Sequence, residues 1–257
     1  MENKSFLSFV NLNVFVAEKH VLRDVSFFAE KGSVHALMGP NGSGKSSLAY
    51  ALAGHPSYKV EAECLVLGDI SLMNLSPCDR ARAGIFLAFQ HPCEVPGVSV
   101  FSFLKEAYAA VTGVQLSVDE FRKMLLRRFE QLGIDSSFES RGFGEGFSGG
   151  EKKKLEIVQL LLLRPKVAIL DEIDSGLDID ALKVVAAGIE IARQENSDMC
   201  IVLITHYQRI LHYIQPDYVH VLCEGRFVVS GDSSVADRLE MFGYESIKNA
   251  SSQQTII

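Results

Sequence analysis

Apolar positions change their period several times along this chain, and each change marks an element. Leu7–Val16 and Val21–Phe28 are rich in β-branched and aromatic residues and predict a small antiparallel sheet. Ser33–Met38 is a short apolar run ending at a glycine-rich stretch, the pattern of a strand buried on both faces. Lys45–Ala53 reads as a helix closed by Gly54 and Pro56, and Cys64–Leu67 and Ile85–Phe89 as further strands. The period then becomes helical. Ser99–Ala110 and Ser117–Leu132 are helices, the second opening on a Ser117/Glu120 capping box and placing Phe121, Leu125, Phe129 and Leu132 on one face. Glu151–Leu163 is a third helix, stopped by Pro165. Strand, helix and strand follow at Val167–Leu170, Ile179–Gln194 and Cys200–Thr205. A hairpin of Tyr218–Cys223 and Arg226–Val229 turns at Glu224-Gly225. Asn249–Ile257 is a polar tail expected to fray.

This order predicts an α/β fold. Residues 1–91 would carry an antiparallel β-subdomain and the start of a core, 92–164 an inserted helical subdomain, and 165–257 the rest of the core and the C-terminal segment. The 257 residues, 47% hydrophobic, are enough to bury such a core. Lys+Arg 25 against Asp+Glu 32 gives a net charge of −7, which disfavours a nucleic-acid partner. Five cysteines without a C-x-x-C pair read as buried small hydrophobes in a reducing cytoplasm, and argue against a metal or iron–sulfur site made by this chain alone. The start MENKSFLSFVNLNV lacks a signal-peptide pattern. The most apolar segment, Leu155–Leu170, is cut by Glu156, Gln159, Arg164, Pro165 and Lys166, so direct membrane insertion is not expected.

Three strings carry chemistry. Gly39-Pro40-Asn41-Gly42-Ser43-Gly44-Lys45-Ser46, followed by Ser47, fits G-x-x-x-x-G-K-[ST] between a strand and a helix. Its glycines let backbone N–H groups turn toward phosphates, Lys45 would reach the β- and γ-phosphates, and Ser46 would hold Mg²⁺. Val167–Leu170 delivers Asp171 and Glu172 at a buried strand's C-terminal edge. There Asp171 can hold Mg²⁺ through water and Glu172 can act as general base; two acids capping the next helix are the plainer alternative. Ser148-Gly149-Gly150-Glu151 opens a helix, where unpaired N–H groups and the dipole favour an anion, or simply a Ser148 N-cap. A second phosphate site on a chain with one phosphate loop makes sense if it serves another protomer.

With Gln90 after Ile85–Phe89, Ser175-Gly-Leu-Asp178 and His206, these strings stand in the order of an ABC-type ATPase, and the resemblance covers nearly the whole chain. It implies the P-loop fold of that family, with a RecA-like core, an N-terminal antiparallel β-subdomain and an inserted helical subdomain. It also implies hydrolysis of ATP with Mg²⁺ in a transient head-to-tail homodimer, each ATP held between the phosphate loop of one protomer and Ser148–Glu151 of the other. Gln90 would contact Mg²⁺, His206 would sit at the γ-phosphate, and Asp178 would lie at the dimer interface. The adenine contact falls by spacing at Val16, with Phe15 on the other face of the strand.

Within the family, four stretches are similar to SufC, the ATPase subunits of the Suf iron–sulfur cluster assembly system. They are FSGGEKKK (147–154), Asp171–Lys183 with Ile173-Asp174 after Glu172, THYQRIL (205–211) and PDYVHVL (216–222); GIFLAFQHPCEVPG (84–97) resembles that group's glutamine loop as well. Lys154 and Leu155 depart from the usual Arg and polar residue. The resemblance implies SufB-like and SufD-like scaffold partners. Separately, the run of Val95, Val98, Val100, Phe101 and Phe103 makes Gln90–Phe103 a candidate docking surface, unless these residues pack inward. The alternative is the nucleotide-binding subunit of an ABC transporter, whose cassettes usually carry Pro-Thr after the catalytic Glu.

Overall fold

A computed structural model describes residues 6–206 and 208–253, with side chains as far as Tyr244 except that of Gln208. The first five residues of the N-terminal pattern, Tyr207 of THYQRIL and the tail beyond Gln253 lie outside the described residues. In chain order the first half runs β1 (Leu7–Val16), β2 (Lys19–Ala29), β3 (Val34–Met38), α1 (Lys45–Ala53), β4 (Tyr58–Glu61), β5 (Cys64–Leu67), β6 (Ile70–Ser71), α2 (Pro77–Ala83), β7 (Ile85–Ala88), β8 (Val95–Ser99), α3 (Val100–Thr112) and α4 (Val118–Gln131). The second half runs β9 (Gly142–Phe143), α5 (Gly149–Leu163), β10 (Val167–Asp171), α6 (Ile179–Glu195), β11 (Cys200–Ile204), β12 (Tyr218–Cys223), β13 (Arg226–Gly231) and α7 (Ser234–Gln253).

Two main sheets organise these elements. One is antiparallel, in the order β2-β1-β5-β6 with β4 also on β1. The other has the order β13-β12-β3-β11-β10-β7, parallel throughout except for its edge strand β13. Alternation along the parallel strands splits the core in two. Val34, Ala36, Ala168, Leu170, Ile201 and Leu203 face the layer of α3, α4, α5 and α6. Leu37, Val167, Ile169, Val202 and Ile204 face α1 and the antiparallel sheet. Because both faces are covered, the strands read as continuous apolar runs. Gly188 of α6 has no room for a side chain: a Cβ there would lie 2.3 Å from Ile157 Cγ2, so α6 approaches α5 closely.

Several features differ from the sequence expectation. α2 begins with the Ser76 cap and Pro77, a start signal within a polar stretch. Asn249–Gln253 continue the helical backbone of α7 where a frayed tail was expected; Gly243 (φ 70°, ψ 175°) breaks that helix and hides its period. Cys78 and Cys93 are exposed rather than buried, on the first turn of α2 and in the loop after Gln90. The apolar residues after Gln90 pack mostly inward. Val100 is fully buried, Phe101 meets Phe121 edge-on at 5.5 Å, and Phe103 lies 3.9 Å from Phe143, centroid to centroid. Among the described residues no helix is long and apolar enough to cross a membrane.

Candidate ATP site

The carboxyl ends of β3, β11 and β10 lie side by side, which brings together the loops that follow them. Gly39 leaves β3 with φ 155°, and a Cβ there would lie 2.1 Å from the Leu222 carbonyl oxygen, so only glycine lets the loop turn away at this point. The loop then enters α1 at Lys45 without a side-chain cap, leaving the first-turn N–H groups directed at whatever binds there. Asn41, Gly42, Gly44, Lys45, Ser46 and Ser47 line one open cavity of about 620 Å³ together with Gln90, Glu172 and His206. Gly39, Ser43 and Asp171 form a buried layer behind them, with Pro40 half-buried beside it.

Lys45 is 4% exposed, and its ammonium donates to the carbonyls of Gly39 (2.9 Å) and Pro40 (3.1 Å). Burial lowers its pKa, opposed by the nearby carboxylates of Glu172 and Asp171. Burial raises the pKa of Asp171, while a hydrogen bond from Ser46 pulls the other way and the Glu172 charge adds to the rise. Asp171 Oδ1 is buried without a hydrogen-bond partner. An orphaned carboxylate oxygen beside a serine hydroxyl, with the Gln90 amide at the same cavity, is an all-oxygen donor set that fits Mg²⁺.

Glu172 adopts φ 47°, a left-handed conformation that is strained for a non-glycine residue, and its N–H donates to the Ile204 carbonyl at 2.9 Å. Each carboxylate oxygen is engaged: Gln90 Nε2 donates to Oε2 at 2.5 Å, and His206 Nε2 lies 2.6 Å from Oε1. The next turn is fixed from inside. Ile173 is fully buried, and Thr205 Oγ1 donates to the buried Asp174 Oδ2 at 2.8 Å. Burial raises the pKa of Asp174.

Ser148–Glu151 stand apart from this cavity. Ser148 caps α5 by accepting from the Glu151 N–H at 3.2 Å, and Glu151 Oε2 accepts from the Ser148 N–H at 2.7 Å, a reciprocal capping box. That backbone N–H is the main reason the Glu151 pKa is lowered. Ser148 and Gly149 are exposed, and a Cβ on Gly149 would meet nothing within 4 Å. Asp178 caps α6 by accepting from the Ala181 N–H at 2.7 Å. Val16 lines the ATP-site cavity, whereas Phe15 stacks on His20 at 4.4 Å. Tyr58 lines the cavity too, and sequence reasoning missed it: β4 is short, and only its pairing with β1 brings it there.

The family model for ABC transporters matches residues 22–175. A probable ATP-dependent transporter, ycf16, of Antithamnion sp. is 46% identical over 250 residues, covering 95% of this chain and 98% of the relative. Vegetative protein 296 of Bacillus subtilis (strain 168) is 47% identical over 246 residues, covering 95% and 94%. The fold is shared with the ATP-binding subunit of an ABC transporter (TM-score 0.77, 23% identity, 96% and 100% covered). It is also shared with the dimeric bacterial ABC transporter cassette MJ0796 (TM-score 0.76, 18% identity, 88% and 98% covered). Fold and site define a P-loop ATPase that uses ATP and Mg²⁺. The chain belongs to the ABC transporter family, as an ATP-binding subunit.

Proposed function

We propose that this chain is the SufC-type ATPase of an iron–sulfur cluster assembly complex, in which two copies close on ATP and remodel SufB-like and SufD-like scaffolds. One observation carries the reading. The segment after the base is not the Pro-Thr of transporter cassettes but Ile173-Asp174, and Asp174 is buried against Thr205, one residue before His206. The same Suf-like strings thus supply both sides of this contact and tie the loop of Glu172 to the loop of His206. The name of the Antithamnion relative speaks of a transporter, which favours the second reading, a cassette serving membrane subunits.

The ammonium of Lys45 leaves the Gly39 and Pro40 carbonyls for the β- and γ-phosphates, while the loop N–H groups and the start of α1 hold the rest of the anion. Ser46 and Gln90, with Asp171 through water, would hold Mg²⁺, which would supply charge neutralisation at the phosphates. Glu172 can accept a proton from water once Gln90 or His206 gives up its carboxylate oxygen. His206 is the one that a γ-phosphate would draw away, since its donor then has a more highly charged acceptor. Ser148–Glu151 of a second copy closes the open side. The scaffold would dock in the groove of about 240 Å³ lined by Phe86, Phe89, Val95, Phe103 and Phe143. Phe101, which packs on Phe121, is not part of that lining.

Native co-purification of the full chain, with its stable partners identified by mass spectrometry, tests the reading. Scaffold proteins related to SufB and SufD support it, and polytopic membrane subunits would replace it with the transporter cassette.

A further inference from the structure

Away from the cavity, a buried ion pair sits where stability alone gives no reason for one. Lys153 and Glu156, one turn apart on α5, have side chains 5% exposed and an N···O distance of 3.1 Å. Burying two charges costs several kcal/mol per ion in typical proteins, and an apolar pair of similar volume commonly does as well. What the pair holds is main chain rather than side chain. Lys153 Nζ donates to the carbonyls of Phe89 (2.6 Å) and Gln90 (3.2 Å), and Glu156 Oε1 accepts from the Phe89 N–H at 2.7 Å. The peptide groups on both sides of Phe89 are therefore pinned to one face of α5. Phe89 follows the end of β7, and the next side chain, Gln90, is the one donating to Glu172.

We propose that Lys153 and Glu156 are positioning residues for ATP hydrolysis. They fix Gln90 to the helix that begins at Ser148, so that a phosphate arriving at that helix start moves the Gln90 amide relative to Glu172. A helix is stiff over the roughly two turns between Ser148 and Glu156, and three charge-assisted contacts make the link to the glutamine loop. Each ATP pocket thereby senses the phosphate its own protomer contributes to holding on the other side. This inference rests on the reading of Glu172 as the base and of Ser148–Gly150 as the second phosphate site.

The test is a double-mutant cycle in the full chain, with Lys153→Met, Gln90→Ala and the two combined. Phosphate release gives kcat and KM, and equilibrium binding of trinitrophenyl-ATP gives nucleotide affinity. The expected result is a loss of roughly tenfold in kcat for Lys153→Met with nucleotide affinity within about twofold, and a combined variant no slower than Gln90→Ala alone. Lys153→Arg should restore most of the rate, because it keeps the donors. Should Lys153→Met fold poorly, Glu156→Gln, which retains an acceptor for the Phe89 N–H, and Glu156→Leu, which does not, replace it; only the second should slow turnover. Multiplicative losses in the combined variant, or a loss of affinity matching the loss of kcat, would overturn the proposal. Glu172→Gln run alongside separates the two ideas: parental hydrolysis by that variant removes Glu172 as base, whereas the cycle judges the link to Gln90 by itself.

Discussion

At the amino-terminal end of the parallel sheet, Ser33, His35, His220 and Ser230 make a continuous chain of hydrogen bonds at 2.9, 3.0 and 2.9 Å. At the carboxyl end, Asp171 Oδ1, Asp174 Oδ1 and Ser43 Oγ are buried with no hydrogen-bond partner. The first cluster assigns its own protons. Ser33 donates to the Glu30 carbonyl at 2.6 Å, so His35 Nε2 must donate to Ser33 and His35 Nδ1 must accept from His220 Nε2. His220 Nδ1 then accepts from Ser230. Phe27, Tyr218 and Phe227 pack around these rings. Both histidines are satisfied while neutral, and burial pushes their pKa values down to about 3 and about 4. Polar groups that answer one another hold the fold together; of those left unanswered, Asp171 Oδ1 is the one beside the proposed Mg²⁺ position.

The sharpest way to break this contrast is at the unanswered end. Glu172→Gln should lower phosphate release at least about 100-fold while leaving nucleotide affinity within about threefold, since the general base is lost while Lys45 and the phosphate loop are kept. Asp171→Asn removes a buried carboxylate that its surroundings disfavour. It should lower hydrolysis at least about tenfold, yet raise the melting temperature of the nucleotide-free chain by roughly 2–4 °C, as about 1 kcal/mol does for a domain of this size. At the answered end the signs reverse. His35→Leu should cost about 1–3 kcal/mol in urea unfolding, because it strands the His220 donor, with kcat/KM unchanged.

A further test is a pH profile of opposite slopes. For His35 and His220 the folded pKa lies below the unfolded value of about 6.5. Their contribution is thus complete above that pH and lost as pH falls toward 4 and 3. Burial raises the Glu156 pKa to about 7, so its contribution is complete below the unfolded value of about 4.3 and lost as pH rises through 7. Urea midpoints across pH 4–8 should show both slopes, and Glu156→Gln should flatten only the alkaline one.

The sequence was legible wherever chemistry is local. The phosphate loop is continuous, Asp171 and Glu172 are adjacent, and the capping box at Ser117 and the N-cap at Ser148 involve residues three apart; both are present, Ser148 as a full box with Glu151. What stayed hidden depends on distant partners. Glu156 and Phe89 are 67 positions apart, and Glu156 reads from sequence only as an interruption of an apolar run. Tyr58 reaches the cavity through strand pairing with β1, and the buried state of Asp174 depends on Thr205, 31 residues on. The histidine chain is equally non-local, with His35 and His220 separated by 185 positions.

On the proposed function, the cavity over Lys45 is half a site, completed by Ser148–Gly150 of a second copy. Sedimentation equilibrium of the Glu172→Gln chain with Mg²⁺ and ATP tests it most directly, run with and without Ser148→Arg in the same chain. An ATP-dependent dimer is expected, which the added Ser148→Arg change returns to monomer while nucleotide affinity in the monomer is unchanged. A dimer indifferent to Ser148→Arg, or one formed equally without ATP, would contradict it.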